Sequence, residues 1–236
     1  MQNCKNFITT GCSFTAGVIE NTDNSTKLWE DSSFVWPHYV FTEMGPDDKN
    51  FFNFALTGNG NVASFKNLIY FLELNKNIKA ENSLIGFNLT ALTRQDTMCK
   101  IKHPESMQCL TGQHIDSELQ IGWIQKGNDV QTIEYGTNEL IIYNCLSIIE
   151  GISYLELNNY NYFFMLMNSE IYKHSPNWFQ EFLNLKRKRW IKFNNMDMWE
   201  FVKTEKLTTN DGHPSRIGHK LLASYVTQYI QNNEKI

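Results

Sequence analysis

Apolar positions along the chain follow two rhythms: short, nearly continuous runs, and longer stretches with apolar residues at helical intervals. Residues 7–10, 51–56, Ser83–Leu89 and 160–167 have the length of strands. The third of these is apolar almost throughout, as a strand covered on both faces should be. Residues 34–44, 62–74, 138–157, 176–189 and 216–231 carry helical spacing. The punctuation agrees with this pattern. Gly45-Pro46 ends the first of these helices, Thr57-Gly58-Asn59-Gly60 separates the second strand from the next helix, and Pro214-Ser215 leads into the last. Strands that alternate with helices predict an α/β protein with a mainly parallel sheet and helices on both faces, a three-layer α/β/α sandwich.

Two stretches break the rhythm. Residues 21–33 are polar and read as a loop. Residues 94–135 are punctuated by Pro104, Gly112, Gly122 and Gly127 and sustain no period. They are too long for an ordinary connection and read as an insertion with a hairpin around Lys126-Gly127-Asn128-Asp129. Following the third strand, they are placed to cover a site or select its substrate. No internal repeat or Pro/Gly/Ser linker divides the chain, so residues 1–236 are expected to form one domain.

Composition narrows the function classes. The 42% hydrophobic share supplies a core, and a net charge of −4 gives no field to hold nucleic acid. The local run Lys186-Arg187-Lys188-Arg189, with Trp190 and Lys192 beside it, is expected to be a solvated helix end. The five cysteines are odd in number and scattered, which suits reduced thiols. Met1-Gln2-Asn3-Cys4-Lys5-Asn6 has no apolar signal core, and runs such as 162–167 are too short to span a bilayer. A cytoplasmic location and no membrane partner are therefore expected.

Three segments fall at the carboxyl ends of the predicted strands, where α/β sheets hold ligands. The first is Gly11-Cys12-Ser13-Phe14-Thr15, which puts a serine at a strand-to-helix turn. Such a serine can present its hydroxyl above the sheet, or simply cap the helix. The second, Asn53 through Asn61, contains Gly58, where a backbone amide can approach a ligand, and Asn59 and Asn61 as caps or donors. The third is Asn210-Asp211-Gly212-His213-Pro214, with a carboxylate two residues before a histidine.

Taken together, these blocks resemble the SGNH hydrolases, a branch of the GDSL-like esterases and lipases. Gly11 through Thr15 is similar to the family's first block, Asn53 through Gly58 to the second, Gly86-Phe87-Asn88 to the third and Asp211-Gly212-His213-Pro214 to the last. Within that family the wider sequence looks most like uncharacterised phage or environmental bacterial members. It departs from the pattern at Cys12 and Leu89, where aspartates are usual, and at Asp211, which lies two rather than three residues before His213.

The resemblance implies a flavodoxin-like SGNH fold and a serine esterase or deacetylase acting on a small or carbohydrate-borne acyl ester. Ser13 would be the nucleophile, His213 the base and Asp211 its orienting acid. The Ser13 and Gly58 amides and the Asn88 side chain would bind the oxyanion, with Asn59 or Asn61 as alternative donors. No metal or cofactor is implied. Cys99, His103, Cys109 and His114 could ligate zinc chemically, but their spacing matches no compact site. Cys12 is expected to be a small buried apolar residue rather than a second nucleophile. Trp29, Phe34, Trp36, Phe87 and Trp123 are candidate cleft aromatics, although aromatics are more often simply core. An O-acyltransferase would use the same residues, and a non-catalytic binding or virion-associated module could use the same fold.

Overall fold

The computed structural model describes residues 4–16, 34–55, 59–93, 97–100, 119–122, 137–210 and 212–233. Its strands are β1 (Asn6–Thr10), β2 (Asn50–Asn53), β3 (Ser83–Leu89), β4 (Thr97–Lys100), β5 (Leu119–Gly122) and β6 (Asn161–Leu166). Its helices are α1 (Ser13–Ala16), α2 (Trp36–Glu43), α3 (Asn61–Leu74), α4 (Thr137–Leu157), α5 (Glu170–Lys173), α6 (Asn177–Leu185), α7 (Met198–Thr204) and α8 (Arg216–Asn232). Four strands form one parallel sheet in the order β2-β1-β3-β6. Trp190 adds a single parallel bridge to Phe164 at the β6 edge.

The alternation of side chains across the pleat sorts the core into two layers. Ile8, Ile85, Phe87, Tyr162 and Phe164 face a layer closed by α3, α4 and α6, while Phe7, Leu84, Phe163 and Met165 face one closed by α2, α7 and α8. A sheet buried on both faces explains why β3 and β6 read as near-continuous apolar runs. Each large side chain so buried contributes about 1.5–3 kcal/mol. The observed architecture is thus the three-layer α/β/α sandwich with helices on both faces.

The strand expected over 51–56 is shorter, β2 ending at Asn53, and the larger differences from the sequence expectation lie in the second half. The helix expected over 176–189 ends at Leu185, and Arg187–Arg189 form a 3-10 turn instead. The basic run there is partly engaged in packing. Lys186 pairs with Glu156 at 2.6 Å, and Arg189 lies 4.4 Å over the Tyr162 ring while donating to the Tyr162 carbonyl at 3.1 Å. Two further strands, β4 and β5, pair antiparallel across residues 101–118, ahead of the turn expected at 126–129, which lies outside the described residues. Asn138–Leu157 is long and apolar enough to cross a bilayer, contrary to the expectation from apolar runs. In the fold its Cys145, Ile148, Ile152 and Leu155 are buried in the core.

Candidate active site

The site is built at the carboxyl ends of β1 and β3. Their parallel register runs from Asn6 opposite Ser83 to Thr10 opposite Phe87. One step further, the chain turns at Gly11 directly beside Asn88. Gly11 has φ +147°, and a Cβ there would sit 3.0 Å from the Asn88 Cβ and 3.0 Å from the Thr15 hydroxyl. Only glycine combines that backbone angle with that proximity. After the turn the Cys12 carbonyl accepts from the Thr15 and Ala16 amides at 2.9 Å, which starts α1 at Ser13. Asn53 braces the same turn, its Nδ2 donating to the Thr15 carbonyl at 3.2 Å while its Oδ1 accepts from the Thr9 hydroxyl at 3.1 Å. Cys12 is fully buried, with its thiol 3.8 Å from the Met167 sulfur.

His213 reaches this turn from the far end of the chain. Its loop is closed by an antiparallel bridge between Thr208 and Pro214, and the His213 carbonyl accepts from both the amide and the hydroxyl of Thr209. The Ser215 hydroxyl then caps α8 by accepting from the Gly218 amide at 3.2 Å. Held in this way, His213 Nε2 lies 2.8 Å from Ser13 Oγ, with the imidazole 5.3 Å from the Phe14 ring. At that distance the two groups are within hydrogen-bond reach, and Nε2 accepts from the serine hydroxyl in the tautomer protonated on Nδ1.

The remaining residues expected at the site divide into three groups. Asp211 and Gly58 lie outside the described residues, as do Trp29 and Trp123. Asn88 is 2% exposed at the end of β3, where its Nδ2 donates to the Met198 sulfur at 3.1 Å. Asn59 is buried just before α3. Asn61 is spent on the scaffold: its Nδ2 donates to the Thr90 carbonyl at 3.0 Å and its Oδ1 accepts from the Thr90 amide at 2.9 Å. That leaves Asn88 and Asn59 as the side-chain candidates for an oxyanion donor. Of the candidate cleft aromatics, Trp36 and Phe87 are core residues, at 0% and 1% exposure. Phe34 lies under the Arg216 guanidinium at 4.0 Å.

No protein-family model matches the chain, and no curated protein matches its sequence. Solved structures match it by shape. A lipolytic protein of the G-D-S-L family from Veillonella parvula is 11% identical, with 94% of this chain and 96% of that one aligned at a TM-score of 0.51. The psychrotrophic esterase EstA from Pseudoalteromonas is 10% identical over 98% of this chain and all of its own, at 0.53. A family-two carbohydrate esterase from Clostridium thermocellum is 13% identical over 98% of this chain and 64% of its own, at 0.56. The chain has the SGNH (GDSL-like) hydrolase fold. These structural neighbours are esterases and lipolytic proteins.

Helix α7 is one part of this SGNH fold that the sequence rhythm did not single out. It stands beside the Ser13 turn, with Met198 against Asn88 and the Trp199 amide donating to the Met167 carbonyl at 2.9 Å. The Trp199 indole nitrogen bounds the space beside Gly212, 3.9 Å from where a side chain would begin. Behind His213, His219 is fully buried and its Nδ1 accepts from the Trp36 amide at 3.3 Å, which ties α2 to α8. Burial, and secondarily the nearby His213, lower its pKa to about 3, so it stays neutral.

Asp197 caps α7, accepting from the Glu200 amide at 2.8 Å. Burial raises its pKa to about 6; the Glu200 amide opposes that shift and the Glu200 carboxylate adds to it. The folded state therefore keeps a proton that the unfolded chain has released near pH 4. Stability from this group falls as pH rises from about 4 to 6 and stays lower above that. Asn caps a helix as well as Asp does and carries no charge. The Tm of Asp197→Asn is expected to match wild type near pH 4 and to exceed it by a few degrees at pH 7 to 8. Thermal melts across that range read this directly, and a difference independent of pH would mean that Asp197 is not a buried charge.

Proposed function

We propose that the protein is a serine hydrolase of ester bonds, with Ser13 as nucleophile and His213 as general base and acid. The observation that carries this is the 2.8 Å contact between Ser13 Oγ and His213 Nε2, which joins residues 200 positions apart at the carboxyl edge of the sheet. Ser13 attacks the acyl carbonyl and gives its proton to His213 Nε2, which passes it to the departing alcohol. Water then attacks the acyl-serine, His213 takes its proton, and the carboxylic acid leaves as Ser13 is reprotonated. Asp211 is assigned to orient the imidazole, and the Ser13 and Gly58 amides with the Asn88 side chain to bind the oxyanion. One such donor is worth about 3 kcal/mol of transition-state stabilisation. The carbohydrate esterase among the structural neighbours supports a small or sugar-borne acyl ester as substrate.

A fluorophosphonate probe tests the nucleophile without a known substrate. Intact mass is expected to show one adduct on wild type, mapped to Ser13 and absent from Ser13→Ala. No adduct on folded protein would sink the hydrolase assignment and leave a binding module on the same fold. Acyl transfer to an added alcohol in place of water, with labelling intact, would make the protein an acyltransferase instead.

A further inference from the structure

The backbone fixes where the Asn88 side chain begins without fixing which way its amide faces. Asn88 pairs in register with Met165 near the end of β3, and its Cβ lies 3.0 Å from where a side chain on Gly11 would begin. The terminal torsion of asparagine is broad and roughly two-fold, so a fixed Cβ leaves two orientations that exchange oxygen and nitrogen. The oxygen does not choose between them: Oδ1 is buried and has no hydrogen-bond partner among the described residues. The nitrogen does, because Nδ2 donates to the Met198 sulfur at 3.1 Å. Turned over, the amide would set its oxygen against that sulfur, and a thioether has no hydrogen to give.

The sulfur is itself held in place. Met198 is fully buried in the first turn of α7. Asp197 caps that turn by accepting from the Glu200 amide at 2.8 Å, and the Trp199 amide donates to the Met167 carbonyl at 2.9 Å. A thioether is a weak acceptor that engages one of the two Nδ2 hydrogens and leaves the second for another partner. We infer that Met198 is a positioning residue for the hydrolase site: its sulfur keeps the Asn88 amide in the orientation that can donate to the oxyanion. The inference rests on the assignment of Asn88 as an oxyanion donor, and it gives α7 a part in the reaction through Asn88.

Met198→Leu nearly conserves volume and removes the acceptor, so a hydrogen on Nδ2 facing it would be buried without a partner. Fluorophosphonate labelling rates, with kcat and KM on a short-chain ester, are compared for wild type, Met198→Leu, Asn88→Ala and the double variant. Asn88→Ala is expected to slow labelling and kcat by about a hundredfold. Met198→Leu is expected to slow both by about tenfold with KM within about twofold. The double variant should be no slower than Asn88→Ala, because Met198 acts through Asn88. An equal loss from Met198→Leu in both backgrounds would mark a merely structural methionine and overturn the inference. So would wild-type rates in Met198→Leu or in Asn88→Ala. A readout apart from activity is the Asn88 side-chain amide in 15N-labelled protein, assigned by its loss in Asn88→Ala. Its hydrogens are expected to resist solvent exchange in wild type and to lose protection in Met198→Leu. Rapid exchange in wild type would overturn the inference whether or not the variants fold. Wild type that is not labelled at Ser13 sinks the hydrolase assignment and this inference with it, whereas labelled wild type with any contrary result above sinks this inference and leaves the pairing of Ser13 with His213 standing.

Discussion

His213→Ala is expected to lower kcat for ester hydrolysis by about ten-thousand-fold or more while leaving Tm within a degree or two of wild type. The Ser13 hydroxyl is a poor nucleophile unless a base takes its proton as the new bond forms. Among the described residues the ring nitrogen placed on it is His213 Nε2, at 2.8 Å. The imidazole stands in a loop closed by main-chain bonds through Thr209 and Pro214, so truncating it should not unravel the scaffold. Ser13→Ala should cost about as much, and the double variant little more than either single one, because the two groups act as a unit. Steady-state rates on a short-chain ester and its acetylated-sugar counterpart measure all three. Additive losses, or a His213→Ala enzyme with near-normal kcat, would show that the pair does not perform the chemistry.

The second large effect concerns the scaffold behind the site. Gly151 lies in the middle of α4, where glycine normally costs about 1 kcal/mol relative to alanine. Its place is explained by contact. A Cβ built there would meet the Phe65 ring of α3 at 2.1, 2.3 and 2.6 Å. That ring cannot easily retreat: Phe65 is 3% exposed and packs edge-on against Phe87 of β3, with centroids 5.0 Å apart. Gly151→Val puts three carbons into this space and is expected to destabilise the fold by about 3 kcal/mol, lowering Tm by roughly 6–12 °C. Gly151→Ala should cost less, since better helix propensity offsets part of the clash. Adding Phe65→Leu to Gly151→Val should recover part of the loss, a coupling that denaturant unfolding of the four proteins would quantify. An unchanged Tm in Gly151→Val would mean that the helices can separate without cost.

Local pattern carried most of the architecture. The strands read from the sequence at 7–10, Ser83–Leu89 and 160–167 appear as β1, β3 and β6 with ends within one residue. The helices over 62–74, 138–157 and 216–231 appear as α3, α4 and α8. Each is a property of a few neighbouring residues, because burial on two faces makes a strand apolar throughout and burial on one face makes a helix periodic. The second half was harder for the same reason. Residues 186–204 are too short and mixed for either rhythm, and there the helix expected over 176–189 gave way to α6 and a 3-10 turn, with α7 forming beyond its expected end.

The candidate site was legible as residue types and illegible as contacts. Ser13 and His213 stood out together, through the order and spacing of blocks that resemble the SGNH hydrolases, since a serine at a strand-to-helix turn alone reads as well as a cap. Their hydrogen bond spans 200 residues, and nothing local specifies which distant groups will meet. Asn61 looked as eligible as Asn88, yet its bonds to the Thr90 backbone spend it on the scaffold. Met198 and Trp199 carried no chemical signal, and only the packing of α7 put them beside Asn88 and Gly212. The sequence by itself determined the parallel α/β layering and the reactive residue types at its carboxyl edge, since both follow from local periodicity and turn chemistry. The tertiary structure alone decided which of those residues touch, because side-chain direction and the meeting of distant segments depend on the whole sheet.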